Sequence, residues 1–139
     1  MAALERAHQL GGARGPYALQ AAIAVCHASA AAAADTDWRL IAGLYAQLAA
    51  VSPSPVVSVN RAVALGMAGS PAEGHALLDG IDGLADYPPR EAARGQLLEQ
   101  LGRASEAGDA FRAAAALTRN AGERSLLLRR ADVRTPRRP

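Results

Sequence analysis

Cys26 and His27 are the first residues whose types suggest chemistry, a thiol nucleophile next to a base. Neighbours on a helix point about 100° apart, so this pair cannot share a proton directly. No glycine-rich turn or third orienting group accompanies them. Cys26 also falls on the apolar stripe of Leu19, Ile23 and Ala30, which predicts a buried, inert thiol, whereas His27 is free to face a groove. The histidines His8, His27 and His75 are scattered, and none is expected to find a helical i, i+4 partner that would form a metal site. Asp79 and Asp82 stand among Gly80 and Gly83 and are expected to be solvated. The chain shows no phosphate-binding glycine loop and no paired acids in an apolar pocket. No catalytic residue, metal or cofactor is expected, and the chain is read as a binding protein rather than an enzyme.

The polar residues that stand out interrupt apolar segments. Asn60 and Arg61 lie between Val59 and Ala62-Val63-Ala64. They either grip a peptide backbone or carboxylate, or cap a neighbouring turn and pair with an acid on the next helix. Trp38 lies on an apolar stripe and is expected in the core, with its indole N–H able to reach a partner group.

These positions need elements to hold them, and composition points to helices. Of the 139 residues 50% are apolar, much of that alanine, while aromatic residues make up 4%. Alanine is the best helix former and lets helices pack closely, and β-branched residues are too sparse for a sheet. No uninterrupted apolar stretch reaches the roughly 18–20 residues of a membrane span, and no long apolar leader segment is evident. The single cysteine excludes an internal disulfide and fits a reducing cytoplasm. The net charge of +2 hides an asymmetry: from Arg112 onward eight Arg face only Glu123 and Asp132. A solvated helix and a basic tail explain that end more economically than a nucleic-acid surface.

Helix punctuation is dense. Ser70-Pro71-Ala72-Glu73 has the form of a capping box, Ser54-Pro55 repeats the serine–proline start, and Asn120 with Glu123 offers another box. With Gly15-Pro16, Asp35-Thr36-Asp37 and Tyr87-Pro88-Pro89 as further starts, helices are expected over about 2–11, 16–31, 36–51, 55–68, 71–83, 88–101, 104–118 and 121–132.

The helices repeat. Thr36, Gly69 and Gly102 are spaced by 33 residues, close to the tetratricopeptide (TPR) period of 34. Five residues later stand Ile41, Gly74 and Ala107, at a position that favours a small side chain; nine later stand the large Tyr45, Leu78 and Phe111. The expectation is an all-α, TPR-like right-handed solenoid of stacked hairpins. Residues 1–15 would form an N-terminal helix and linker, 16–132 the helical domain and 133–139 a disordered basic tail. Leu126–Leu128 would cap the stack, with Arg129 and Arg130 solvating its outer face. Trp38, Tyr45, Leu78 and Phe111 should be largely buried.

The segments PYALQAAIAVCHA (16–28), DTDWRLIAGLYAQLAAVSPSPVVSVNRAVA (35–64) and RAAAALTRNAGERSLLLRRA (112–131) resemble a C-terminal extension found in bacterial extracytoplasmic-function (ECF) sigma factors. The resemblance spans about residues 4–131. It implies a regulatory protein-interaction domain acting in transcription initiation. Its partners would be the sigma core or a protein associated with RNA polymerase. The promoter-reading regions 2 and 4 are not in this sequence, so no direct promoter recognition is implied. By motif position the resemblance carries partner binding to Tyr17, Gln20, His27, Asp37, Trp38, Asn60 and Arg61, with Tyr45 also matching. It transfers no catalytic residue. The rival readings are a stand-alone TPR adaptor for an unrelated peptide and an Arg-mediated nucleic-acid module.

Overall fold

The computed structural model describes residues 15–28, 36–84 and 87–134, and every regular element among them is an α-helix. In chain order they are α1 (Pro16–Ala28), α2 (Trp38–Val51), α3 (Pro55–Met67), α4 (Pro71–Asp79), α5 (Pro88–Gln100), α6 (Ala104–Leu117) and α7 (Ala121–Arg134). Four of the seven open on proline, whose fixed φ suits the first turn and whose missing N–H costs nothing there. No helix among the described residues is long and apolar enough to cross a membrane. The expected helix over 2–11 and the tail beyond 134 lie outside the described residues.

The starts and stops follow local chemistry. Asp37 caps α2 by accepting from the Leu40 N–H at 3.1 Å. α3 and α5 end in the same way. Gly69 and Gly102 adopt φ of 99° and 77°, the left-handed conformation that costs glycine nothing. Gly69 N–H donates to the Gly66 carbonyl and Ser70 N–H to the Leu65 carbonyl; 33 residues on, Gly102 and Arg103 donate to Glu99 and Leu98. Both pairs are Schellman closures, which satisfy the last carbonyls of a helix.

Three expectations about caps fail in detail. Ser54 and Ser70 stand at the N-caps of α3 and α4 with proline next to them, but neither makes a side-chain cap bond, its hydroxyl being turned away from the free N–H groups. At α7 only half of a box forms, Asn120 Oδ1 accepting from Glu123 N–H at 2.8 Å while the Glu123 carboxylate takes a bond from the Thr118 hydroxyl. α4 stops at Asp79, not near 83, since Gly80 and Ile81 tighten onto Leu77 and Leu78. Ile81 is buried nonetheless, and its carbonyl accepts from Arg90. α7 runs to Arg134, two residues into the segment expected to be a tail.

Each helix packs on its chain neighbour, and α3 also touches α5. The core falls into three contiguous clusters: Leu19, Ile23, Ile41 and Leu44 between α1, α2 and α3; Val59, Leu78, Ile81 and Leu97 in the middle; Leu98, Phe111, Ala114 and Leu127 between α5, α6 and α7. Glycines such as Gly66, Gly74 and Gly95 let helices approach closely. A methyl on Gly74 would lie 2.5 Å from the Ala62 carbonyl oxygen, and one on Gly95 2.6 Å from the Phe111 ring.

Leu78 and Phe111 are fully buried as expected, but Trp38 and Tyr45 are only partly so. Trp38 is the first residue of its helix, and the phenol of Tyr45 favours a position at the edge of the core. Of the three leucines on α7 only Leu127 caps the stack, joined by Ala131, since Leu126 and Leu128 are exposed. Arg130 does more than solvate the outer face: its side chain stays 39% exposed, but its guanidinium lies 4.3 Å from the Phe111 ring centroid and reaches Glu99 at 3.3 Å.

Candidate functional site

The seven residues assigned to partner binding do not form one patch. Tyr17 and Gln20 stand exposed on α1, Tyr17 88% so. At the other end of that helix His27, also exposed, meets the Trp38 ring edge-on with centroids 5.5 Å apart. Asp37 sits beside Trp38 with one oxygen committed to the α2 cap. His27, Asp37 and Trp38 therefore cluster where α1 and α2 come together. Asn60 is exposed on α3, and Arg61 is partly buried there.

Cys26 lies behind the first cluster, 3% exposed, while His27 beside it faces solvent. Burial, and to a lesser degree the negative charge of Asp37, pushes the thiol pKa above its ordinary value. A thiol held neutral and covered is a poor nucleophile. Among the described residues no three His, Cys, Asp or Glu side chains stand where they could share a metal ion.

Two concave grooves away from that cluster are lined by arginines. The first, about 390 Å³, runs between α4, α5 and α6 and is lined by charge. Arg94 Nη1 bonds Asp79 Oδ1 at 2.7 Å and its Nε approaches Glu91 at 3.4 Å. His75 Nδ1 lies 3.6 Å from the other Asp79 oxygen, and Arg103 holds Glu106 through two bonds. Two expectations are corrected here. His75 does have an acid four residues on, and Asp79 is not merely solvated but shared between an arginine and that histidine. The second groove, about 410 Å³, lies between α2, α3 and the turn into α4, and is lined by Arg39, Ala46, Arg61, Leu65 and Gly69 among others. Among the described residues no acid lines it, and neither does His27.

In this second groove Arg61 Nε is shielded from solvent and has no hydrogen-bond partner. Among the described residues neither Arg61 nor Arg39 makes an ion pair, so the expected pairing of Arg61 with an acid of the next helix is not made. The sequence reading missed Arg39 and Arg94. Arg94 was within reach, because Arg61 and Arg94 both stand eight residues before a turn glycine of the repeat. Arg39 carries no such signal.

Three arginines of the basic C-terminal end make contacts within the fold, while Arg119 and Arg129 are exposed. Arg112 pairs with Asp109 at 2.7 Å, Arg124 donates to the carbonyls of Ala115 and Thr118, and Arg130 covers Phe111.

No family profile and no solved structure matches the chain. An uncharacterized protein of Rhizobium meliloti (strain 1021) is 44% identical over 119 residues, a match that covers 85% of this chain and 28% of that protein. The chain thus spans little more than a quarter of that relative's length.

Proposed function

We propose that the chain is a TPR-like interaction domain that regulates an ECF-type sigma factor by contacting its core regions or an RNA polymerase-associated protein. The observation that carries the repeat reading is the recurrence of one local construction at a 33-residue step. The Schellman closures at Gly69 and Gly102 match bond for bond, Gly74 and Ala107 occupy equivalent sites, and fully buried Leu78 and Phe111 follow at the same distance. The contact of α3 with α5 agrees with stacking of first helices across successive hairpins.

The sigma-factor assignment rests on the resemblance of segments 16–28, 35–64 and 112–131. The match to one part of a much longer Rhizobium protein suits an appended domain of a larger polypeptide. A nucleic-acid role draws less support, because Arg124 and Arg130 are in part committed within the fold and no aromatic residue is interleaved with the arginines from Arg112 onward.

The test is a calorimetric titration of the purified chain with the purified sigma polypeptide, regions 2 to 4, encoded alongside it. Saturable binding with a Kd below about 100 μM is the expected result. No heat and no co-elution at concentrations up to about 1 mM would remove the sigma assignment.

A further inference from the structure

We propose that the groove between α2 and α3 is a carboxylate site that seats a Glu or Asp side chain of a partner polypeptide on Arg61 and Arg39. This rests on the reading of the chain as an interaction module, but not on which protein the partner is.

The argument comes from comparing the two grooves through the 33-residue register. Arg61 corresponds to Arg94, Leu65 to Leu98, Ala46 to Asp79 and Ser58 to Glu91. Leu65 and Leu98 each line their own groove, so the correspondence holds in space as well as in sequence. At Arg94 the fold supplies both counter-ions, Asp79 at 2.7 Å and Glu91 at 3.4 Å. At Arg61 both are absent, replaced by an alanine and a serine. The guanidinium remains, and its Nε is shielded from solvent without a partner. Arg90 Nε is shielded and unpaired as well, although that arginine is bonded through Nη2 to Ile81, so it is the loss of both counter-ions together with the orphaned donor that marks Arg61 as lacking an acceptor.

The nature of that acceptor is indicated by the neighbouring repeat, where the same arginine is answered by carboxylates. A guanidinium presents its N–H groups as a planar fork that fits a carboxylate with two parallel bonds. Arg39 adds a second positive charge to the wall, and no acid lines the groove to compete for it. Ala46, the counterpart of Asp79, lines the groove and brings no carboxylate to it. No aromatic ring lines the groove to stack a nucleobase, which favours an acidic peptide over a nucleic acid.

The test uses the whole 139-residue chain labelled with nitrogen-15 and follows the Arg Nε–Hε resonances by NMR. The probes are acetyl-Glu-Glu-amide, its Gln-Gln counterpart, inorganic phosphate and a short thymidine oligonucleotide at matched ionic strength. The expected result is a saturable shift of the Arg61 signal with the Glu probe, little with the Gln probe, and none at Arg94, which is already paired. Ala46→Asp, which restores the internal counter-ion, should weaken the Glu probe about tenfold or more while leaving helix content unchanged. Arg61→Gln should do the same if the first variant proves unstable. An Arg61 signal that ignores the Glu probe, one that moves together with Arg94, or one that responds at lower concentration to phosphate or the oligonucleotide would overturn the proposal. A sigma core that fails to bind while Arg61 still responds removes only the partner's identity, whereas a silent Arg61 removes the site and leaves the calorimetric test standing.

Discussion

Gly95→Ala adds one methyl at the tightest point of the α5–α6 contact. The new carbon would lie 2.6, 2.7 and 2.9 Å from three atoms of the Phe111 ring. Carbon atoms settle at roughly 3.5–4.0 Å, so ring or helix must retreat by about 1 Å. The ring has little room, being fully buried with the Arg130 guanidinium 4.3 Å from its centroid. Overpacking of this kind costs about 2–3 kcal/mol. Against this stands the gain of about 0.5–1 kcal/mol from replacing a glycine inside a helix. The net loss is about 1–2.5 kcal/mol, which lowers Tm by roughly 4–10 °C in a domain of this size. Gly43→Ala is the matched control, since a methyl there meets nothing within 4 Å. It should gain about 0.5–1 kcal/mol and raise Tm by roughly 2–4 °C. Both are read by thermal and urea unfolding followed by circular dichroism. A Gly95→Ala protein as stable as the parent, or equal losses at both glycines, would refute the steric account. Combining Gly95→Ala with Phe111→Leu should cost less than the two changes summed, since the smaller side chain frees the space.

Other consequences can be checked separately. Cys26 should react with a thiol reagent far more slowly in the native chain than after unfolding; native labelling at the rate of a free thiol would contradict its burial. Burial raises the pKa of Cys26 and of Tyr45 above the ordinary thiol and phenol values, so the folded state holds both protons more tightly than the unfolded state. Their contribution is complete at neutral pH and is lost as the pH rises past about 9, and Tyr45→Phe should flatten that loss in urea titrations. Thr118 is 6% exposed, and its hydroxyl accepts from the Asn120 N–H and donates to the Glu123 carboxylate. Thr118→Val should therefore cost about 1–2 kcal/mol by urea unfolding, and a neutral result would show that water replaces those bonds. Asp79→Asn should change stability by less than about 1 kcal/mol, because the ion pair with Arg94 is half exposed; a larger loss would mark the groove as structural.

Much of the fold was legible because its rules are local. Proline at the first helical position, glycine in left-handed turns, and apolar residues recurring at 3.6 residues are properties of a few neighbours at a time. They placed α2, α3, α5 and α6 within a residue or two of their ends. The same locality explains the small misses. Ser70 looked like a cap, but whether its hydroxyl bonds the backbone depends on a rotamer that the sequence does not state. α4 stopped early because Gly80 and Gly83 weaken the helix there, and Ile81 could be buried without remaining helical.

The candidate site was less legible, because it depends on which side chains from different helices come within a few ångströms. Sequence spacing by itself determined that Arg61 interrupts an apolar helix and that Arg94 recurs 33 residues later. Only the tertiary structure decided that Asp79, from the preceding helix, reaches Arg94 while among the described residues no acid pairs with Arg61, and that Arg39 lines the groove of Arg61. It also turned His27 toward Trp38 and away from that groove, and folded Arg130 inward over Phe111. The physical reason is range. Helix formation is decided within a turn or two of chain, whereas pairing of a charge depends on the rotation and separation of packed helices, set by small residues such as Gly74 and Gly95 at their contacts.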